Sequence, residues 1–444
     1  MNRIMITGTH SGCGKTTVTC GLLMALKDRG LQPTAFKCGP DYIDPMFHRR
    51  AIGVPGYNLD PFFSTGEQLK GRIVKSGGGI SLLEGAMGYY DGIGPEGWCS
   101  AYDVARATRT PAVLVIDAKG MYTSAAAVLQ GFLNYQAPSG IRGVIFNNTS
   151  PMVYEGLAVL AEGMGIKPLG FLPREPKAVF ESRHLGLVTA GELAHIEEKL
   201  ARLGDLAESY IDIKGLIKLA ANAPALNGAL PDMRPLGRVR LGVARDEAFC
   251  FLYEENLELL TALGSEIIFF SPINDEGLPE GISGLYLCGG YPELHLEALS
   301  GNSSMLQAIK AAVCGGMPAI AECGGFLYLH NTLDGFPMAG VIDAQAYRTE
   351  KLSRFGYITL QAKVDNLLCA AGDTIPGHEF HYYQSSHCGA DFGAEKPGSQ
   401  RSWPCVHATE TLYAGFPHLY FEANPVFAEN FVRKAIEYEV NKHS

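Results

Sequence analysis

The chain has 444 residues, 47% hydrophobic and 18% charged, with Lys+Arg 36 against Asp+Glu 46 and a net charge of −10. That length allows two or three domains with ample core, the acidic balance excludes a large nucleic-acid footprint, and no apolar run reaches membrane-spanning length. Eleven cysteines without a C-x-x-C pair read as reduced thiols of a cytoplasmic chain, and a start that enters a strand at once leaves no place for a signal peptide.

Residues 2–7 read as an apolar strand, and 15–29 have helical periodicity ending at Gly30. Between them run Gly8, Thr9, His10, Ser11, Gly12, Cys13, Gly14, Lys15, Thr16 and Thr17. Strand, glycine-rich turn and a helix opening with Lys-Thr make a phosphate-binding loop for ATP or GTP. Its backbone N–H groups and helix N-terminus cradle phosphates. Lys15 adds a point charge, and the Thr16 hydroxyl is placed to ligate Mg²⁺. The spacing departs from the usual motif: Thr9 stands where glycine is expected, and Gly8 is one place early.

Residues 33–38 form a second strand, with Lys37 opening the string KCGPDYIDP. Asp41 and Asp44 flank Tyr42 in that loop, as metal-facing carboxylates or as plain turn residues. A short strand at 80–83 leads to Glu84, a candidate Mg²⁺ carboxylate or a helix cap, with Tyr90 and Asp91 further along. Strands at 111–116 and 140–146 alternate with helices at 99–109, 122–134 and 153–164. Asp117 follows a strand and fits either role. Strands separated by helices imply an α/β, doubly wound parallel sheet. Its ligand belongs at the carboxyl ends of the strands.

Residues 190–222 read as helical. Three prolines and two glycines without periodicity then mark a linker at 223–237, so residues 1–222 form one domain and 238–444 another. The second has strands at 238–244, 266–270 and 284–287, helices at 251–263 and 305–313, and a segment at 318–321 leading to Glu322-Cys323-Gly324-Gly325. The polar stretch 389–403 reads as a surface loop.

Cys323 lies between a buried strand and a glycine-opened helix, a nucleophile elbow. A helix N-terminus favours the thiolate, the Gly324 N–H can stabilise an oxyanion, and Gly290 in the string LCGGYP offers a second donor. The thiol needs a base. His330, His378, His381, His387, His407 and His418 are the downstream candidates.

Taken together, the phosphate loop, KCGPDYIDP, EGAMGYYDG, VARDEAF, LCGGYPE, AECGG and a terminal histidine resemble the cobyrinate a,c-diamide synthase family along essentially the whole chain. The resemblance implies a dethiobiotin-synthetase-like ATPase domain joined to a class I glutamine amidotransferase domain. It implies amidation of the a- and c-side-chain carboxylates of the tetrapyrrole cobyrinate, in cobalamin biosynthesis, with ATP, Mg²⁺ and L-glutamine. Cys323 resembles the glutaminase nucleophile, and His418 looks like its base. Lys15, Thr16, Lys37 and Glu84 match nucleotide and Mg²⁺ positions, with Asp41 beside them as a further metal candidate. Tyr42, Asp44, Tyr90 and Asp91 fall in strings that look substrate-facing. Tyr420 stands where ordinary class I amidotransferases carry the third, acidic member of the site, which leaves that member open. His10 stands where related partitioning ATPases carry a second lysine, so activation by a dimer partner is unsupported, although a homodimer stays open. Competing readings are the same chemistry on nickel-sirohydrochlorin or hydrogenobyrinate, a cobyric acid synthase, and an ATP-dependent switch with an inactive amidotransferase tail. Intact Cys323 and His418 argue against the last.

Overall fold

The computed structural model describes residues 1–175 and 190–442. It divides into two compact units, Met1–Leu230 and Pro231–Ser444. The first is built on seven parallel strands: β1 Arg3–Gly8, β2 Pro33–Cys38, β3 Gly56–Leu59, β4 Ile80–Glu84, β5 Ala112–Asp117, β6 Ile141–Asn147 and β7 Lys167–Leu172. They lie in the order β3-β2-β4-β1-β5-β6-β7. The central strand β1 is buried along its whole length, as expected for a parallel sheet covered on both faces. Its side chains divide by alternation. Ile4 and Ile6 pack with Val18, Leu22, Leu203 and Leu216 of helices Lys15–Asp28, Ala190–Tyr210 and Ile213–Ala221. Met5 faces Leu69, Val104, Leu129 and Leu157 of the helices on the other side. The carboxyl ends of β1, β2 and β4 thus present Gly8, Cys38 and Glu84 along one edge.

Strands β3 and β7 and helix Gly66–Ser76 were not anticipated from sequence. The expected helix at 190–222 is two helices, Ala190–Tyr210 and Ile213–Ala221. The break falls where the Asp212 side chain accepts from Gly215 N at 2.8 Å and caps the second helix. The segment expected as a linker has no helix or strand, yet each half is tied down. Arg3 and Arg109 donate to the Pro224 and Ala225 carbonyls at 2.8 and 2.9 Å. Leu236 N donates to Leu263 O at 2.8 Å.

The second unit holds a six-stranded sheet in the order Ser265–Phe270, Val239–Ala244, Gly284–Leu287, Ala319–Glu322, Leu412–Gly415, His407–Ala408. Only the last pairing is antiparallel. A separate antiparallel sheet runs Ser402–Cys405, Phe392–Glu395, Arg354–Ala362, Thr374–His381, His418–Leu419. The expected surface loop at 389–403 is therefore corrected to part of a hairpin. Phe392 and Ala394 alternate inward and are fully buried, while the polar residues that suggested a loop occupy its turn.

Candidate active sites

In the first unit the phosphate loop closes on itself. Lys15 Nζ donates to the His10 carbonyl at 3.0 Å, and Asn147 Nδ2 donates to the Cys13 carbonyl at 3.0 Å. Gly14 has φ +100° and lies against the Asn147 side chain, so any Cβ there would be both strained and blocked. Helix Lys15–Asp28 places the Thr16 hydroxyl where it donates to Glu84 Oε1 at 2.7 Å. Lys37, from the end of β2, donates to the same oxygen at 2.9 Å and pairs with Asp44. Lys37 is nearly inaccessible. Burial alone would favour its neutral form, but Asp44 and then Glu84 hold its pKa well above the ordinary value. Asp44 is buried too, a cost that the charge and hydrogen bond of Lys37, with His48 and Lys15, together outweigh, leaving it below the usual carboxylate range.

Asp41 Oδ1 accepts from the N–H groups of Ile43 and Asp44 at 2.8 and 3.2 Å. It caps its own turn, while Asp44 takes the place on Lys37. Burial, then the charge of Asp44, pushes Asp41 up to about 6. Asp91 accepts from Gly88 N at 2.8 Å, in a segment held to the phosphate loop by Tyr89 N donating to the Gly8 carbonyl at 2.8 Å. Tyr42 is buried. Tyr90, expected to face substrate, is committed elsewhere: its hydroxyl donates to the Phe132 carbonyl at 2.7 Å, and its ring stacks on Phe132 at 5.6 Å. Asp117 braces its turn, accepting from Lys119 N and Asn148 Nδ2. Sequence reasoning missed His48, fully buried with Nε2 3.8 Å from Glu84 Oε2, and Asn147.

Among the described residues no three His, Cys, Asp or Glu side chains are grouped to hold a metal by themselves. The residues nevertheless fit Mg²⁺. Glu84 Oε2 is buried with no hydrogen-bond partner among the described residues, and the Thr16 hydroxyl lies beside Glu84. One or two hard oxygens, completed by water and phosphate, suit that ion.

In the second unit Cys323 has φ +44° and ψ −98°, a strained backbone for a non-glycine residue. The turn is fixed by Cys323 N donating to Gly415 O at 2.8 Å and Gly325 N donating to Cys288 O at 3.0 Å. Burial pushes the thiol well above its ordinary pKa, Glu293 and Glu379 add to this, and a hydrogen bond from the Gly324 N–H works the other way. The expectation that the helix N-terminus would favour a resting thiolate is thus corrected. Five residues of helix do not offset full burial, and the thiol needs a base. Gly290 N lies 2.9 Å from where a Cβ on Gly324 would stand, which brings the second expected donor against the elbow.

Five of the six histidines now separate. His330 is locked between the Phe326 carbonyl and Ser385 Oγ. His381 binds the Tyr383 carbonyl and stacks on Phe416 at 3.8 Å. His407 contacts the His387 carbonyl. His378 lies opposite His418 in the antiparallel sheet, and burial, then His418, drives its pKa down to about 3. His418 itself is buried, packs against Gly289, and sets Nδ1 3.7 Å from Oε2 of Glu322, the residue preceding Cys323. Tyr420 turns its hydroxyl to Glu422 Oε2 at 3.2 Å.

A nucleotide-binding sheet with a carboxylate–lysine cluster at its phosphate loop, and a cysteine elbow with a buried histidine, define a glutamine-dependent amidating ligase. Residues 4–187 match the CobQ/CobB/MinD/ParA nucleotide binding domain, and residues 240–426 match the CobB/CobQ-like glutamine amidotransferase domain. A cobyrinate a,c-diamide synthase of Caldanaerobacter subterraneus subsp. tengcongensis is 39% identical over 427 residues, 94% of each chain. Enzymes of the same name from Methanothermobacter thermautotrophicus and Clostridium acetobutylicum are 37% and 36% identical, each covering 98% of this chain and all of the relative. The chain belongs to the cobyrinate a,c-diamide synthase family. Among the described residues no helix is long and apolar enough to cross a membrane.

Proposed function

We propose that this chain amidates the a- and c-side-chain carboxylates of cobyrinate, in cobalamin biosynthesis, at the expense of ATP and glutamine. A carboxylate resists attack by ammonia because its charge repels the nucleophile and its leaving group is poor. Transfer of the γ-phosphoryl group to it gives an acyl phosphate, from which phosphate departs. Lys15 and Lys37 offset charge on the transferring group. Thr16 and Glu84 would hold Mg²⁺, which would supply charge screening for the phosphate oxygens. Tyr42 and the loop carrying Asp41 and Asp44, with Asp91 at the neighbouring turn, flank the carboxylate's approach. In the second unit Cys323 attacks the glutamine side-chain amide, and His418 takes the thiol proton and returns it to the departing ammonia. Gly290 and Gly324 N–H groups stabilise the oxyanion. The eleven free cysteines fit a cytoplasmic setting.

One observation carries this reading: a single chain holds both a strained cysteine elbow, whose preceding Glu322 lies 3.7 Å from His418, and a phosphate loop whose Thr16 meets Lys37 of β2 on Glu84. The test is incubation with ATP, Mg²⁺, glutamine and, in turn, cobyrinate, hydrogenobyrinate and nickel-sirohydrochlorin, with products read by mass spectrometry. Diamide from cobyrinate is expected. Diamide from another macrocycle alone would overturn the substrate assignment.

A further inference from the structure

The strand Ala319–Glu322 is apolar except for its last residue, and Glu322 is only 1% exposed. A carboxylate buried this deeply needs partners, and each one it finds leads toward His418. Oε1 accepts from Leu419 N at 3.0 Å, the amide that follows His418. Oε2 accepts from the Tyr286 hydroxyl at 3.1 Å and lies 3.7 Å from His418 Nδ1. Burial, then the charge of Glu322, holds Tyr286 far above its ordinary pKa, so it stays a donor. Asn256 completes the clamp, donating to Leu419 O and accepting from Phe421 N, both at 2.8 Å. The backbone is thereby clamped from the Leu419 amide to the Phe421 amide, three residues beyond His418, with Glu322 facing the imidazole. The neighbouring imidazoles His378 and His381 bring no charge, because burial drives their pKa values down to about 3 and 4.

We propose that Glu322 is the carboxylate that positions His418, replacing the acidic residue absent at Tyr420. Facing Nδ1, it favours the tautomer with the proton on Nδ1 and leaves Nε2 as the base. The Cys323 proton passes to Nε2 as the sulfur–carbon bond to the glutamine amide forms. The same proton then leaves with ammonia as the carbon–nitrogen bond breaks. Glu322 takes no proton; it stabilises the imidazolium between these steps. Nucleophile and orienting carboxylate are consecutive in sequence, so the elbow that strains Cys323 also aims Glu322.

This inference rests on the reading of Cys323 and His418 as a glutaminase pair. Loss of glutamine hydrolysis in Cys323→Ala tests that reading separately. With the full-length protein, Glu322→Gln should lower kcat for glutamine hydrolysis about 10²-fold, the lower end of what positioned acid–base groups contribute. KM for glutamine and ammonium-dependent amidation should stay unchanged. Wild-type kcat in Glu322→Gln, alongside an inactive Cys323→Ala, would overturn the assignment to Glu322 alone. Should Glu322→Gln fail to fold, the wild-type protein decides. In ¹⁵N-histidine NMR, the His418 signal, assigned by its loss in His418→Gln, should report the Nδ1–H tautomer. An Nε2–H tautomer would overturn the proposal.

Discussion

Gly289 lies against the edge of the His418 ring so closely that a Cβ at 289 would overlap Cε1. The same glycine pairs with Phe251 across a two-residue ladder, so the backbone cannot readily retreat. Gly289→Ala should therefore displace the imidazole. Glutamine-dependent amidation is expected to fall by about 10²-fold, the lower end of what a positioned base contributes, while ammonium-dependent amidation persists. An alanine variant with normal glutamine-dependent rates would show that the ring position is not critical.

Cys323→Ala removes the proposed nucleophile and leaves every residue of the first unit unchanged. Glutamine-dependent amidation should vanish, and added ammonium should restore product. A folded variant that has lost both activities would sink the assignment of two separate steps to two units. Tyr420→Phe is the matching control. Its hydroxyl is turned to Glu422, so glutaminase kcat should stay near wild type.

Lys37 is enclosed by Glu84 and Asp44, with side chains 7%, 1% and 11% exposed. Lys37→Met would strand two buried carboxylates, and breaking such a pair costs roughly 3–5 kcal/mol. Both a lower unfolding midpoint in urea and loss of amidation with either nitrogen source are expected. Glu84→Gln keeps the shape and removes the charge, so it should raise the Mg²⁺ concentration needed for half-maximal rate. Unchanged Mg²⁺ dependence would show Glu84 to be structural only.

The carboxylate Asp41 gives a pH signature. Burial and the neighbouring Asp44 raise it to about 6 in the folded chain, above its ordinary value. The folded state thus binds this proton more tightly than the unfolded state. Its contribution is greatest below the unfolded pKa near 3.8 and is lost as pH rises through 6. Asp41→Asn keeps an oxygen acceptor for the Ile43 and Asp44 amides without the charge. The variant should melt higher than wild type at pH 7–8, and the gain should disappear toward pH 4. A lower melting temperature throughout would show that the carboxylate charge is needed by the turn.

The sequence made the sheet of the first unit legible where strands are continuous apolar runs, as in β1, β2 and β5. It hid β3, GYNL, and β7, KPLGFL, because polar, glycine and proline residues interrupt four- and six-residue strands that packing completes. The site was legible wherever chemistry demands particular residues in local order: the phosphate loop, the Cys323 elbow, Glu84 at a strand end. What stayed hidden depends on contacts distant in the chain. Nothing local separates His418 from five other histidines, and it is the approach of Gly289 and Glu322 that does so. Tyr90 looked substrate-facing by its neighbours, yet Phe132 and its carbonyl claim it. Glu322 did carry a signal, a lone charge ending an apolar strand directly before the nucleophile.

Asp44 illustrates how geometry redirects an expectation. Read from sequence, a carboxylate in the loop carrying Tyr42 looks substrate-facing. In the structure it is buried on Lys37, and so belongs to the cluster of Thr16, Lys37 and Glu84 beside the phosphate loop. Its effect should then act through Lys37, the lysine proposed to steady the transferring phosphoryl group, a step common to both amidations. Asp44→Asn leaves Lys37 paired with Glu84 alone and free to shift toward it. Both amidations should slow by the same factor, so the fraction of monoamide during a time course should match wild type. KM for ATP should rise with ammonium or glutamine as nitrogen source. Monoamide building up in the variant, with ATP dependence unchanged, would return Asp44 to the substrate side of the loop.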